Sequence, residues 1–557
     1  MLVKTYGAAV QGIEALIITI EVSVNRGFEF SIVGLPDTAV KESYERVMSA
    51  MEHSSLVPPH RRILVNMSPA DVRKEGSAYD LPIAIGILAA DGQIQCPGLD
   101  RFLIMGELSL DGSLLPIKGA LPMAIKAREL GFDGMIVPRA NVDEAAVVNR
   151  LKVYGADNLS QVFAFLNGTE TIEPTEVDTR AEFARSVNDF PFDFIEVKGQ
   201  EMVKRAFEVA CAGGHNILLV GPPGSGKSMM AKRLPSILPP LTLAEALETT
   251  KIHSVAGKLS AGSRLMTARP FRSPHHTIST VALVGGGSSH PMPGEISLAH
   301  NGVLFLDELP EFSRQVLEVM RQPLEDRTIN ISRAKYSVDY PAGFMLVASM
   351  NPCPCGYYNH PTKVCSCLPG QVNRYLNRIS GPLMDRIDMQ VEILPVPFEE
   401  LSKASTGESS AEIRKRVIAA REIQTRRFAG EKAIYCNAQM GPKQLAVYSS
   451  LTPECSDILK DAMTRLDMSA RAYDRILRVA RTIANLDASP SILPAHIREA
   501  SPTATSTAPP GAPHIPNNAH STPAGMAGVL CAYMAGRLSG CRRSAADVSC
   551  GQQRCGF

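Results

Sequence analysis

The segment NILLVGPPGSGKSMMAKRL, Asn216 to Leu234, constrains the chain more than any other stretch. Apolar residues suited to a buried strand run into a glycine-rich loop of the pattern G-x-x-x-x-G-K-S, and helix-forming sequence follows. In that setting Gly221, Pro222, Pro223, Gly224, Ser225, Gly226, Lys227 and Ser228 form a phosphate cradle. The loop N–H groups converge on an anion, Lys227 reaches the β- and γ-phosphates, and Ser228 ligates Mg²⁺. The ligands expected are ATP and Mg²⁺.

Further along, NGVLFLDELPEF is an apolar strand that ends in Asp307 and Glu308. This is the pattern of a Walker B element, with Asp307 holding the metal's water shell and Glu308 orienting and deprotonating the attacking water. The strand FMLVASM ends at Asn351, a polar residue placed to contact the γ-phosphate or the water from between the two motifs. Between them lies TINISRAKYSVDYPAGF, Thr328 to Phe344. Its apolar residues alternate through Ile329 and Ile331, then resume with shifted phase at Tyr336, Val338 and Tyr340, which predicts a hairpin. Arg333 and Lys335 sit at its tip, where no core needs them.

Charge gives no global clue. Lys and Arg total 57 against 56 Asp and Glu, so any contact with nucleic acid or membrane must come from a local patch. No stretch approaches the roughly 18 apolar residues that a membrane span requires, and the N-terminus carries no cleavage-type signal, so the expectation is a cytoplasmic protein with no membrane contact.

The predicted fold class is α/β. Residues 1–165 alternate strand-like and helical runs and read as one α/β domain; 166–192 are polar and acidic, a linker; 193–395 carry the phosphate loop in a second α/β domain; 396–500 read as helical. From 501 to 557 the composition turns to SPTATSTAPPGAPHIPNNAH and reads as a disordered or aberrant tail.

Of 12 cysteines, Cys353, Cys355, Cys365 and Cys367 cluster as two C-x-C pairs on a Pro/Gly-rich loop. Four thiols there can close a tetrahedral zinc site that replaces a core so short a loop cannot build. C-x-C is tighter than the usual spacing, and His360 is an alternative ligand. His275 and His276 invite a metal reading too, without a carboxylate or cysteine at ligand spacing.

The phosphate loop, GVLFLDELPEF, SMNPCPCG, LMDRID and SARAYDRILRVARTIA together resemble the Mg-chelatase-like AAA+ ATPases of the YifB/ComM family, from residue 1 to about 500. The resemblance implies an N-terminal Lon-protease-like α/β domain, an AAA+ P-loop α/β domain and a helical lid. It puts Asn351 at sensor 1, Arg386 at an arginine finger that reaches the neighbouring subunit's nucleotide, and Arg471 at sensor 2. A finger acting in trans implies a ring, a homo-hexamer. It also makes Thr328–Phe344 a pre-sensor-1 hairpin lining a central pore, where Arg333 and Lys335 grip the phosphates of single-stranded or branched DNA. RPFRSPHHTISTVALVGGGSSHPMPGEISLAHNG resembles the helix-2 insert of the same clade, with Arg269, Arg272, His275 and His276 near its start and Gly285–Gly287 as a flexible tip.

Two N-terminal stretches, RKEGSAYDLPIAIGIL and IMGELSLDGSLLPIKGALPMAIKARELGFDGMIVP, resemble the Lon-type protease domain, whose site is a Ser–Lys dyad. Here Ala78 falls at the nucleophile and Leu121 at the lysine, with Ser77 and Lys118 out of phase, so the domain is expected to be an inactive platform. Family membership implies an ATP-driven helicase and branch migration during natural transformation, with recombination proteins as partners. The alternatives are a chelatase-type motor that remodels a protein and, less favoured, an ATP-dependent peptidase. In one respect the chain departs from the family: SPTATSTAPPGAP follows LPAHIREA where further helix is expected, as in an altered reading frame.

Overall fold

Ile18, Ile20, Val22 and Val24 alternate along one strand and all four are buried, which fixes that strand's inner face. The strand, Glu14–Asn25, sits third in a seven-stranded sheet of the N-terminal region. In this computed structural model the described residues are 2–179, 183, 190–259, 262, 264–287, 291–333, 336–358, 360, 362–396, 407–431, 434–466 and 468–501. Lys335 and the segment 502–557 lie outside them, as does the side chain of Arg333.

The sheet runs Phe30–Val33, Arg62–Ser68, Glu14–Asn25, Leu2–Gln11, Phe102–Ile104, Gly134–Pro138 and Lys152–Ala156. Glu14–Asn25 pairs antiparallel with both its neighbours, Leu2–Gln11 and Arg62–Ser68, while the last three strands run parallel to one another. The helix Asp80–Ala90 has every residue buried and packs on the first two strands of the chain. Residues 172–179, expected to be linker, instead close the sheet edge. The Thr175 N–H donates to the Val153 carbonyl at 2.9 Å, the Thr179 hydroxyl donates to the Val147 carbonyl, and Ile172 and Val177 are buried.

The second sheet is wholly parallel, in the order Phe271–Arg272, Val303–Leu306, Met345–Met350, Ile217–Val220 and Met389–Glu392. Ile217–Val220 comes first in the chain yet lies between two later strands. Ligands bind at such switch points, beyond the carboxyl ends of the strands. The three central strands are buried throughout, as continuous apolar runs must be when both faces are covered.

The predicted hairpin is present: Thr328–Arg333 pairs antiparallel with Tyr336–Pro341, Arg333 opposite Tyr336. Ile329, Ile331, Val338 and Tyr340 are buried on its inner face, and the Tyr340 hydroxyl donates to the Pro291 carbonyl at 2.6 Å. The insert before Walker B forms a second, smaller hairpin, Gly285–Gly286 with Met292–Pro293, rather than the free tip expected of its glycines. A Cβ on Gly285 would stand 2.9 Å from Ile331, so the two hairpins are in close contact.

Helices Ser410–Arg427, Pro442–Tyr448, Pro453–Leu466, Ala470–Leu486 and Pro494–Ala500 follow. Most of them gather around Leu445, Leu459, Ile476, Leu477 and Ile497. The two sheets meet where helix Leu243–Val255 packs on helix Ala120–Glu129. There Ser254 hydrogen-bonds to the buried Glu144, Lys251 pairs with Glu14 at 3.1 Å, and Arg264 pairs with Asp143 at 3.1 Å. Among the described residues no helix is long and apolar enough to cross a membrane.

Candidate active site

The loop after Ile217–Val220 turns on Gly224 at φ 78° and Gly226 at φ 89°, conformations that side chains with a Cβ resist. Gly221 is needed for space: a Cβ there would lie 2.4 Å from the Ile393 carbonyl oxygen. Helix Lys227–Ala231 follows; it is shorter than the sequence suggests, because the chain turns into a 3-10 segment, Leu234–Ser236, around Pro235.

Lys227 is buried, and its ammonium donates to the carbonyls of Gly221 at 2.7 Å and Pro222 at 2.9 Å and to Asn351 Oδ1 at 3.1 Å. Burial lowers its pKa, opposed by the carboxylates of Asp307 and Glu308. The Ser228 hydroxyl donates to Asp307 Oδ2 at 2.6 Å. The structure thus brings Lys227, Ser228, Asp307 and Asn351 into one bonded group from three strands.

Ser349 completes it, and the sequence did not single it out. Its hydroxyl hydrogen-bonds to Asp307 Oδ1, and the Glu308 N–H donates to that same hydroxyl at 3.3 Å. The only available signal was a polar residue interrupting an apolar strand. Glu308 itself adopts φ 55° and ψ 50°, with its carboxylate 3.7 Å from His276 Nδ1. The rings of His275 and His276 lie 4.1 Å apart, tilted by 33°. Among the described residues the one group of potential ligands close enough for a metal is the cysteine cluster, so the histidine pair gains no metal reading. Arg269 and Arg272 are structural partners here: Arg269 donates to the carbonyls of Pro239, Pro240 and Asn301, and Arg272 forms a bidentate pair with Glu295.

Arg386 and Arg471 lie together but away from that group. Arg386 donates to the Pro382 carbonyl at 2.6 Å and pairs with Glu325, while its Nε is buried without a partner. Arg471 is exposed and pairs with the adjacent Asp385 at 2.9 Å. Arg475, one turn on, donates to the Met384 and Ile387 carbonyls, and Arg478 to that of Met440.

The thiols of Cys353, Cys355, Cys365 and Cys367 lie within 4.8 Å of one another. His360 is not part of this group; its Nδ1 accepts from the Thr362 and Lys363 N–H groups. Sulfur–sulfur separations are 3.3, 3.7 and 3.5 Å for the pairs among Cys353, Cys355 and Cys365. With Zn–S bonds of about 2.3 Å, a tetrahedral site has edges of about 3.8 Å, so this donor set can hold a metal. In the N-terminal region Leu121 is buried and its N–H donates to Glu144, and among the described residues no hydrogen bond joins Ser77 to Lys118.

A nucleotide fits the loop on one further count. The Ser225 hydroxyl is buried and has no hydrogen-bond partner among the described residues. Ser228 and Asp307 offer the hard oxygen ligands that Mg²⁺ prefers, and the ion supplies charge neutralisation at the phosphates. A parallel sheet with its phosphate loop at the switch point and an acidic strand beside it defines a P-loop ATPase of the AAA+ class. Family models agree: "Magnesium chelatase, subunit ChlI" matches residues 193–401, "Subunit ChlI of Mg-chelatase" residues 20–141, and "Magnesium chelatase, subunit ChlI C-terminal" residues 407–502.

The chain is 44% identical over 499 residues to the protein YifB of Escherichia coli, covering 88% of this chain and 95% of that protein. It is 43% identical over 498 residues to competence protein ComM of Haemophilus influenzae, covering 89% and 96%. Lon protease 2 of Bacillus subtilis is 31% identical over 160 residues, covering 26% of this chain and 28% of the protease. The chain belongs to the YifB/ComM family of magnesium-chelatase-like AAA+ ATPases. Such ATPases use ATP and Mg²⁺ and usually assemble into oligomers.

Proposed function

We propose that this ATPase forms a homo-hexameric ring in the cytoplasm and couples ATP hydrolysis to movement along DNA, as a helicase that drives branch migration in competence-linked recombination. One observation carries the reading. Between Glu308 and Asn351 the chain runs through two short helices, Arg314–Val319 and Arg321–Asp326, then a hairpin whose inner face is seated in the ATPase core, then the strand Met345–Met350 that ends beside Asn351, so the stem is linked through packed elements to both site residues. A change in the contacts of the nucleotide with those residues therefore displaces the stem and its basic tip. The name of the Haemophilus relative, a competence protein, supports the biological setting.

In this reading Lys227 and Ser228 hold the phosphates and Mg²⁺, Asp307 positions the metal's waters, Glu308 is the base, Asn351 senses the γ-phosphate, and Arg386 and Arg471 act across the ring. Arg333 and Lys335 grip the DNA backbone. The four thiols hold a structural zinc ion. Residues 1–165 serve as an inactive Lon-like platform, 193–395 as the motor and 396–500 as the lid.

The test is ATP turnover with and without forked DNA at two salt concentrations, for the native chain and for Arg333→Ala with Lys335→Ala. Stimulation by DNA is expected, weakening steeply with salt and absent in the double variant while basal turnover survives. Turnover indifferent to every nucleic acid tried would reject the reading. The chelatase-type family matches favour a second one, a motor that remodels a protein partner, which predicts stimulation by that protein and none by DNA.

A further inference from the structure

We infer that the four-cysteine loop is a metal-dependent clamp on the phosphate loop: zinc bound by Cys353, Cys355, Cys365 and Cys367 holds Gly356 against Pro223 and Asn351 against Lys227, so that zinc occupancy sets the affinity for ATP. The inference rests on the zinc reading of the thiols and on the ATP reading of the loop.

The two loops touch directly. Gly356 is at φ 84°, and a Cβ added to it would stand 2.4 Å from Pro223 Cδ. Only a glycine lets the cysteine loop pack this closely on the phosphate loop. The Gly221 N–H donates to the Met350 carbonyl at 3.2 Å, which ties the start of the phosphate loop to the strand end that leads into the cysteines. Asn351, whose side chain accepts from Lys227, is only two residues from Cys353, and Cys353 is fully buried. A displacement of Cys353 cannot be absorbed in so short a span, and it reaches Asn351.

Apart from the thiols, the cysteine loop is held by local contacts within residues 357–363, such as Lys363 over the Tyr357 ring at 4.7 Å and His360 Nδ1 accepting from the Thr362 and Lys363 N–H groups, and not by regular structure. Among its described residues from 352 to 368 there is no strand or helix, and Val364 and Leu368 point into solvent, 93% and 68% exposed. Its internal backbone bonds are few, such as Gly356 N–H to Cys353 O at 2.9 Å and His360 N–H to Tyr357 O at 3.1 Å. The thiol cluster is therefore what closes it. Backbone N–H groups of Cys355 and Tyr358 donate to the sulfurs of Cys367 and Cys353, both at 3.3 Å, the kind of support that stabilises thiolate ligands. A four-sulfur set selects zinc over Mg²⁺, whereas the oxygen ligands at Ser228 and Asp307 have the opposite preference, so the two metals do not compete.

The experiment uses the full chain. Elemental analysis of the purified protein is expected to give one zinc per chain; a value near zero overturns the zinc reading and the clamp with it. Binding of a fluorescent, non-hydrolysable ATP analogue in excess Mg²⁺ is measured before zinc removal with a zinc-selective chelator, after it, and after zinc is returned. The dissociation constant is expected to rise about tenfold and then recover. If zinc leaves and affinity does not change, the clamp is overturned while the zinc site stands. If the zinc-loaded chain binds no analogue, it is the ATP reading that fails. Gly356→Ala is expected to retain zinc and lose affinity by a similar factor; a variant that keeps its zinc and binds as tightly as the native chain overturns the contact with Pro223 as the route.

Discussion

Glu308 holds a left-handed backbone conformation that costs a residue with a Cβ roughly 1 kcal/mol, and it does so beside a bonded triad of Asp307, Ser349 and Ser228. Strain of this kind is kept where the surroundings over-determine it, here by the Glu308 N–H bond to Ser349 and the buried turn at Leu309 and Pro310. On the proposed reading the carboxylate takes a proton from the attacking water. Glu308→Gln is then expected to lower turnover by about 10²- to 10⁴-fold while binding of ATP, followed by a fluorescent analogue, stays near native. Turnover within a factor of a few of native would remove Glu308 from the chemistry. Lys227 and Ser228 were legible from the loop spacing and Asp307 from its place at the end of an apolar strand, and the structure brings the three together. Ser349 was not, since a serine inside an apolar strand announces nothing until the neighbouring strand brings Asp307 beside it. His276 became relevant only because the insert folds back to Glu308, a long-range contact that no local pattern encodes.

Among the elements, those with short continuous apolar runs or a clear alternation were legible. NILLV, GVLFLD and FMLVASM occur as Ile217–Val220, Val303–Leu306 and Met345–Met350, and the alternation around Ile329 and Val338 occurs as a paired hairpin. What the sequence hid lacks a period or depends on a partner. Helix Asp80–Ala90 is buried on all sides and so shows no polar face, and residues 172–179, polar on paper, are held by a sheet edge formed elsewhere in the chain. The buried helix also encloses a charge: Asp80 is fully buried, and Arg46 grips it with two hydrogen bonds of 2.7 and 2.9 Å. Removing one member of such a pair strands the other without compensation. Arg46→Met is expected to destabilise the N-terminal region by about 3 kcal/mol, read as a lower urea midpoint. An unchanged midpoint would mean that Asp80 is neutral in the folded chain and needs no partner.

At the scale of the molecule, the separation of Arg386 from Lys227 is informative, since within one chain Arg386 meets Glu325 and lies next to the Asp385–Arg471 pair. An arginine whose Nε is buried and unsatisfied, outside its own site, suits a residue completed by a neighbouring subunit. Arg386→Ala is expected to cut turnover by about 10³-fold with nucleotide binding retained, and mixing it with Glu308→Gln is expected to restore part of the activity, because a native finger can then meet a native base. No recovery in the mixed assembly would place Arg386 within its own chain's fold alone. The N-terminal region enters the same mechanics from below. Ile13 packs against the core that carries the hairpin, and a Cβ on Gly12 would lie 2.8 Å from Val338, so the turn between the first two strands is a floor under the hairpin stem. On the proposed reading a stem that pushes on DNA needs such a floor, whereas hydrolysis at Lys227 and Asp307 does not. Ile13→Asp puts a charge against that apolar contact. Basal ATP turnover is expected to stay within about twofold of native, and stimulation by forked DNA to be lost, the two readings separating only if force passes through the N-terminal sheet. Equal loss of both would show instead that the turn merely supports the ATPase core.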